Sequence, residues 1–412
     1  MNRLARMALC LLTGLISRVI PRADQIWAFG GNKGVRFADN SMFFFKYCVE
    51  ETDKTSVWLT KSDKILTQVR SEGYRAYKSN SLRGLYYGFR ARWHIFDVSA
   101  SDTSAYSSVG AKQLNLWHGY PIKDIRFLKK EPKNSFLRSV WAWLCNRHLA
   151  RSNYFVLHQN KKYLWHITES FHVKEEHVVI ANYPRNIVFE NSDRATAHIA
   201  SNAKPVIEKL EKLRESGKRI LGYFPTWRPS DSDQFMGTRS VEELTSLNDF
   251  LAEHNLVIAT KWHTCVFKEY QHAGASTAAE DLNSTMHSMS NIVVLEFDQD
   301  LNSLLTQFDL LISDYSGVII DYLFSDRPQI LMAYDLESYS QEPGFFFDYQ
   351  DFAPGPIVKT IAELECELVD YAKSPESYAA EYQAKRVANC TDVIEAESGS
   401  EAIFKFLNDS TA

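Results

Sequence analysis

Five short clusters in this chain combine residue types that can move protons or hold phosphate, and each stands where an apolar run ends. The first is Leu114-Asn115-Leu116-Trp117-His118-Gly119-Tyr120-Pro121. Histidine ordinarily titrates near pH 6.5, so His118 suits general-base work at neutral pH; the alternative is a turn histidine held by backbone. In Phe224-Pro225-Thr226-Trp227-Arg228-Pro229, the Arg228 guanidinium could grip a phosphate in bidentate fashion, or form a surface ion pair. Lys261-Trp262-His263 adds two donors. Asp309-Leu-Leu-Ile-Ser-Asp314-Tyr-Ser316-Gly317 runs directly into a helical pattern from Val318 to Phe324. The start of a helix exposes free N–H groups and partial positive charge, so the Ser316–Gly317 turn either cradles an anion or merely caps the helix. Asp314 suits a hydroxyl better than a phosphate, and Asp321 faces solvent or packs within the helix. The fifth cluster is an aromatic loop, Tyr334 to Tyr349, leading to Pro354-Gly355-Pro356. It reads as a covering of the core in preference to a lid.

The elements that must position these residues alternate. Apolar runs at Gln25–Phe29, Ser56–Leu59, Trp93–Val98, Gln113–Trp117, Tyr154–Leu157 and His177–Ile180 are separated by helix-length segments. A second series occupies Ile220–Phe224, Leu256–Thr260, Ile292–Phe297, Leu310–Ser313 and Gln329–Ala333. This pattern predicts an α/β protein with two parallel sheets. The expected organisation is an N-terminal helix over 1–22, an α/β domain over 23–190, a polar connector over 191–217, a second α/β domain over 218–385 and a helical tail over 386–412. Ligands of such sheets bind beyond the carboxyl ends of the strands, here in a cleft between the halves. Length agrees, since 412 residues suit two domains.

Composition narrows the function. A net charge of −5 offers no basic excess to cover nucleic-acid phosphates. Six scattered cysteines without a Cys-x-x-Cys pair fit a reducing cytoplasm and no structural zinc. Asp298-Gln299-Asp300 has a metal-binding look, but between a strand and a helix it reads as a cap. His166, His172 and His177 lack ligand spacing and are expected on surface helices, so no metal site is expected. No Gly-x-x-x-x-Gly-Lys loop or Gly-x-Ser-x-Gly elbow is present. Met7–Ile16 is too short to span a membrane, for which ~20 residues are needed. With Arg3, Arg6, Arg18 and Arg22 nearby, it reads as a helix lying on an anionic membrane surface, as a docking helix, or as a signal segment.

Taken in order, several pieces resemble the CDP-glycerol glycerophosphotransferase family of teichoic-acid and capsule synthesis. They are Trp27-Ala28-Phe29-Gly30 through Phe37-Ala38-Asp39-Asn40, Leu116-Trp117-His118-Gly119, Tyr183-Pro184-Arg185-Asn186, Pro225-Thr226-Trp227-Arg228, Lys261-Trp262-His263, Ser313-Asp314-Tyr315-Ser316-Gly317 and the run from Tyr334 to Thr360. The resemblance implies a GT-B-like fold, two Rossmann-type domains facing across a cleft. It implies transfer of glycerol phosphate, or ribitol phosphate in relatives, from CDP-glycerol or CDP-ribitol to a hydroxyl of a lipid-linked or polymeric glycan, releasing CMP without a cofactor. It implies an enzyme peripheral to the inner face of the cytoplasmic membrane. By the same resemblance His118 and His263 are the catalytic candidates: His118 deprotonates the acceptor, while His263 and Arg228 steady the diphosphate. Thr226, Lys261, Asp314, Ser316 and Gly317 complete the substrate-binding set. Three positions depart from the family pattern: Gly317 replaces a second serine, Tyr120 replaces a small residue or threonine, and Glu397–Glu401 replaces an Asp-Gly segment. Competing readings are a GT-B glycosyltransferase using a nucleotide sugar, a nucleotide-sugar epimerase and a catalytically silent scaffold subunit.

Overall fold

The computed structural model describes residues 13, 16–122, 153–190, 192–226, 235–236, 238, 240–261, 277–296, 299–341, 344–345, 348–394 and 399–410. The apolar runs become two parallel sheets, one in each of two compact units. The first unit holds residues 1–118, 125–198 and 396–412; the second holds 119–124 and 199–395.

In the first unit the strands are β1 (Ala23–Gly30), β2 (Thr55–Thr60), β3 (Ala76–Lys78), β4 (Ala91–Phe96), β5 (Lys112–Asn115), β6 (Tyr154–His158) and β7 (Val178–Ile180), in the order β3-β2-β1-β4-β5-β6-β7. Every pairing is parallel. Parallel sheets are covered on both faces, which is why their strands read as unbroken apolar runs such as Trp27-Ala28-Phe29 and Val57-Trp58-Leu59. The helix Asp39–Glu51 is buried continuously from Asn40 to Cys48. Its Phe44 and Phe45 pack edge-on to Phe29, and Phe45 meets Trp58 at 5.5 Å between ring centroids. The helix Gly399–Asp409 returns to this unit: Phe404 lies 5.5 Å from Trp27 and 6.2 Å from Tyr47, and Phe406 lies 5.7 Å from Phe155. Its first residue is fixed by contact, since a Cβ on Gly399 would stand 2.3 Å from the Asn182 carbonyl.

The second unit repeats the plan with β8 (Arg219–Tyr223), β9 (Leu256–Thr260), β10 (Ile292–Val294), β11 (Leu310–Ser313), β12 (Gln329–Met332) and β13 (Ile357–Val358), ordered β10-β9-β8-β11-β12-β13. Its pairings are also parallel. Leu221, Ile258, Leu310, Ile312 and Ile330 line its core. The helix Val241–Glu253 starts on the Ser240 hydroxyl, and Ile361–Lys373 starts on a reciprocal Thr360/Glu363 capping box.

Both sheets change winding direction beside their first strand, between β1 and β4 and between β8 and β11. Loops diverge there and leave a crevice at the carboxyl edge.

Two strands escape the periodicity argument. β3 and β13 have three and two residues, too few to alternate, and pairing to a neighbour defines them. The run expected to extend to Phe297 stops as a strand at Val294. The polar stretch after Asp193 is folded as helices Asp193–His198 and Lys204–Glu215, and the chain changes unit between His198 and Ile199. Residues 396–412 rejoin the first unit, whereas the helix Pro375–Ile394 stays with the second. His166, expected on a surface, is fully buried, because the helix Leu164–Phe171 turns that face inward.

The returning helix gives a stability test. Leu407 is fully buried, so Leu407→Ala should cost about 2–5 kcal/mol. Urea unfolding should show a lower midpoint, and an unchanged midpoint would mean that this helix contributes little.

Candidate functional site

In the first unit, four strand ends supply one network. The chain leaving β1 enters the helix Asp39–Glu51, β4 delivers Asp97, β5 delivers His118 and the segment after β7 delivers Arg185. The Asp97 carboxylate spans the switch point: Oδ1 accepts the Ser41 N–H at 2.8 Å and Oδ2 accepts the Ser41 hydroxyl at 2.5 Å. Asn40 donates from Nδ2 to the Trp117 carbonyl at 2.9 Å, and its Oδ1 accepts the Arg185 N–H at 3.3 Å. Arg185 Nη1 donates both to Asp39 Oδ1 at 2.6 Å and to the His118 carbonyl at 3.0 Å. The Trp117 N–H is held by Asn115 Oδ1 at 2.9 Å.

This network supports an uncommon backbone. Trp117 has φ of 58° and Asp39 has φ of 64°, the left-handed region that bulky side chains rarely adopt. Such strain costs on the order of 1–3 kcal/mol per residue and persists only where surroundings enforce it. Its effect is to turn His118 off the end of β5.

The His118 ring lies 4.1 Å from the Trp117 ring, and Nδ1 faces the Asp97 carbonyl at 3.4 Å. A carbonyl only accepts, so Nδ1 carries the proton and Nε2 keeps the lone pair. The residue is open to solvent on one side. Crowding by protein on the other side still lowers its pKa below the usual 6.5, chiefly through desolvation; Asp39 opposes the shift and Arg185 adds to it. A neutral imidazole with a lone pair at pH 7 has the chemistry a general base requires. Asp97 titrates well above the usual carboxylate range, first because it is buried and next because Asp39 is near.

In the second unit, Phe224–Thr226 follows β8, Lys261 follows β9 and Asp314–Gly317 follows β11, and these three strands are neighbours. Asp314 Oδ1 accepts the N–H groups of Thr226 at 2.8 Å and Tyr315 at 2.6 Å, while Ser313 Oγ donates to the Phe224 carbonyl at 2.6 Å. Asp314 is buried, and its Oδ1 holds two backbone donors, a role in positioning the turn. Asp321 packs inside. The helix Val318–Tyr322 begins at Gly317 without any side-chain cap, so Ser316 does not cap it. Lys261 Nζ donates to the Gln299 carbonyl.

The aromatic loop is a covering. Tyr315 stacks on Tyr339 at 4.0 Å, meets Phe345 and Tyr349 at 5.3 Å and 5.2 Å, and donates to Asp335 at 3.0 Å. Tyr349 donates to the Asp314 carbonyl at 2.8 Å. Gly317 has ordinary helical dihedrals, but a Cβ there would stand 3.1 Å from the Tyr120 carbonyl. The two departures from the family pattern thus adjoin each other.

Arg228 and His263 lie outside the described residues. Asp300 accepts from the Ser303 N–H and hydroxyl at 2.8 Å and 2.7 Å, a capping role. Among the described residues, no group of acids, histidines and cysteines could hold a metal ion. Sequence reading gave Asp39, Asn40, Asp97 and Arg185 no role. Asp39, Asn40 and Arg185 did stand in matched motif pieces just beyond strand ends, which was the available signal.

A family model described as CDP-Glycerol:Poly(glycerophosphate) glycerophosphotransferase matches residues 15–401. The teichoic acid glycerol-phosphate transferase of Staphylococcus aureus is 25% identical over 382 residues, covering 88% of this chain and 87% of that protein. The teichoic acid poly(glycerol phosphate) polymerase of Bacillus spizizenii is 24% identical over 383 residues, covering 86% of each. Among solved structures, the wall teichoic acid polymerase TagF superposes with a TM-score of 0.70 at 19% identity, covering 98% of this chain and 93% of that one. UDP-GlcNAc 2-epimerase from Neisseria meningitidis superposes at 0.54 with 12% identity, covering 93% and 99%. The fold is GT-B-like, built from two Rossmann-type units.

The Asp314 geometry yields a graded expectation. Asp314→Ala leaves two N–H groups, that of Tyr315 buried and that of Thr226 half-buried, without their acceptor and should cost about 1–3 kcal/mol, whereas Asp314→Asn keeps an oxygen there and should cost less. Thermal melts of the two variants check the ranking, and equal losses would remove the acceptor role.

Proposed function

We propose that this chain, which belongs to the CDP-glycerol:poly(glycerophosphate) glycerophosphotransferase family, moves glycerol phosphate from CDP-glycerol to a hydroxyl of a growing teichoic-acid polymer and releases CMP. The observation that carries the assignment of roles is His118 at the end of β5, solvent-open and with a depressed pKa. Its Nε2 takes the acceptor hydroxyl proton as that oxygen attacks the glycerol-bearing phosphorus. The new P–O bond forms as the bond to the CMP phosphate breaks, and CMP leaves with that electron pair. Catalysis of this kind is mostly positioning and charge stabilisation. The donor is held by the second unit: the Ser316–Gly317 backbone, Thr226 and Lys261 stand at adjacent strand ends, and Arg228 and His263 complete the grip on the diphosphate. No cofactor takes part. CDP-ribitol is the alternative donor, since a ribitol-phosphate primase of Bacillus spizizenii is 28% identical over 199 residues.

The acceptor is lipid-linked in this reading, and the protein works as a peripheral enzyme at the inner face of the cell membrane. No helix among the described residues is long and apolar enough to cross a membrane. What supports surface contact is the exposure of Ile16 at 41% and Val19 at 79%. Arg22 does not share this role: its guanidinium donates inward to the Gly88, Ala91, Ser17 and Ser107 carbonyls, and burial lowers its pKa to about 10.

Two experiments bear on these points. With CDP-glycerol and an oligo(glycerol phosphate) acceptor, His118→Ala should lower CMP release by about 10²–10⁴-fold while donor binding persists; near-normal turnover would end the base assignment. Ile16→Asp/Val19→Asp should weaken sedimentation with phosphatidylglycerol vesicles, and high salt should weaken the unmodified chain's binding. Sedimentation indifferent to both changes would remove the surface reading.

A further inference from the structure

We propose that Arg185 and Asn40 are positioning residues of the transfer reaction, a two-point clamp on the backbone that aims His118. The inference rests on His118 being the base. The two carbonyls flanking the His118 α-carbon are those of Trp117 and His118 itself. Asn40 Nδ2 holds the first at 2.9 Å and Arg185 Nη1 holds the second at 3.0 Å. The clamp's halves are joined, because the Arg185 N–H donates to Asn40 Oδ1 at 3.3 Å. Arg185 is anchored in turn by Asp39 at 2.6 Å and lies over the Tyr183 ring at 5.1 Å. Both clamp residues are buried, Arg185 at 4% exposure and Asn40 at 0%.

The clamp is needed because Trp117 is left-handed. Released, the turn would relax toward ordinary dihedrals and carry the imidazole away from its aim. A displacement near 1 Å at a reacting group can cost about 10²-fold in rate. Arg185 also acts through charge. Among the described residues, the charged and titratable groups that act on His118 are Asp39 on the helix after β1, Asp97 and Asp102 after β4, and Arg185 after β7. Arg185 is the cation among them, and it favours the neutral ring. Turnover needs neutral His118, so the rate rises as pH passes its pKa. Removing the cation raises that pKa, and the acid limb moves to higher pH.

The test uses the full chain, CDP-glycerol and oligo(glycerol phosphate), with CMP release as readout. Arg185→Ala should lower kcat about 10²-fold at unchanged KM for CDP-glycerol and shift the acid limb of kcat upward. Arg185→Lys keeps the charge, but its shorter side chain sets the ammonium back from the Asp39 and His118 oxygens that Nη1 reaches, so kcat should fall about tenfold with the acid limb in place. Asn40→Ala should behave like Arg185→Lys. If Arg185→Ala does not fold by circular dichroism, the other two variants carry the test. Wild-type kcat in Arg185→Lys and Asn40→Ala, or a loss confined to KM, would overturn the clamp while inactive His118→Ala leaves the base reading standing. An active His118→Ala would instead remove the reading beneath it.

Discussion

Each half of this molecule hangs on one buried aspartate at the point where its sheet changes winding direction. Asp97 follows β4 and binds the N–H of Ser41 beyond β1; Asp314 follows β11 and binds the N–H of Thr226 beyond β8. A doubly wound sheet sends neighbouring loops apart at this point, so an acceptor strong enough to hold a backbone donor across the gap is required. An aspartate side chain meets the requirement, since its oxygen accepts the donor and the hydrogen bond offsets the cost of burying a polar group. The two residues also use their own carbonyls alike. That of Asp97 faces His118 Nδ1, and that of Asp314 accepts the Tyr349 hydroxyl. One residue in each unit therefore fixes both a loop and the group lying over it.

Much of the fold was legible because parallel strands are buried on both faces and announce themselves as apolar runs. β1, β2, β8 and β9 are found within a residue or two of the runs that signalled them. β3 and β13 were illegible because edge pairing, not composition, makes them strands. The candidate site was legible where chemistry-bearing residues ended such runs, as with His118, Thr226, Lys261 and Ser316. Asp314 shows the limit: nothing in its side-chain type announced that Oδ1 would hold two backbone donors. Asn40 and Arg185 were hidden for a different reason. Their partners are carbonyls of residues far away in sequence, and a backbone oxygen carries no signature in the one-dimensional pattern.

Electrostatics around His118 are balanced, not merely attractive. Three aspartates surround the His118 ring, and each favours its charged form. Asp97 is itself shifted toward the protonated form by burial and by Asp39, and Asp39 is paired with Arg185. Desolvation then dominates and keeps the imidazole a free base. The tight approach of Gly317 to the Tyr120 backbone is a comparable balance in the second unit, where absence of a side chain permits a contact that a serine Cβ would crowd.

The helix Gly399–Asp409 has a consequence for biosynthesis. Chains emerge from the ribosome from the N-terminus, and domains generally fold as units as they appear. The second unit is drawn from the single stretch 199–395 apart from the short segment 119–124, so its sheet can assemble as soon as that stretch is made. The first unit waits. Trp27 and Tyr47 acquire Phe404, and Phe155 acquires Phe406, only after the 199–395 stretch of the other unit has been synthesised. Until then the parts of Trp27, Tyr47 and Phe155 that this helix covers stand exposed, a state in which nascent chains are prone to associate or to recruit chaperones. The unit whose first strand comes earlier is closed by a helix made after the other unit's strands.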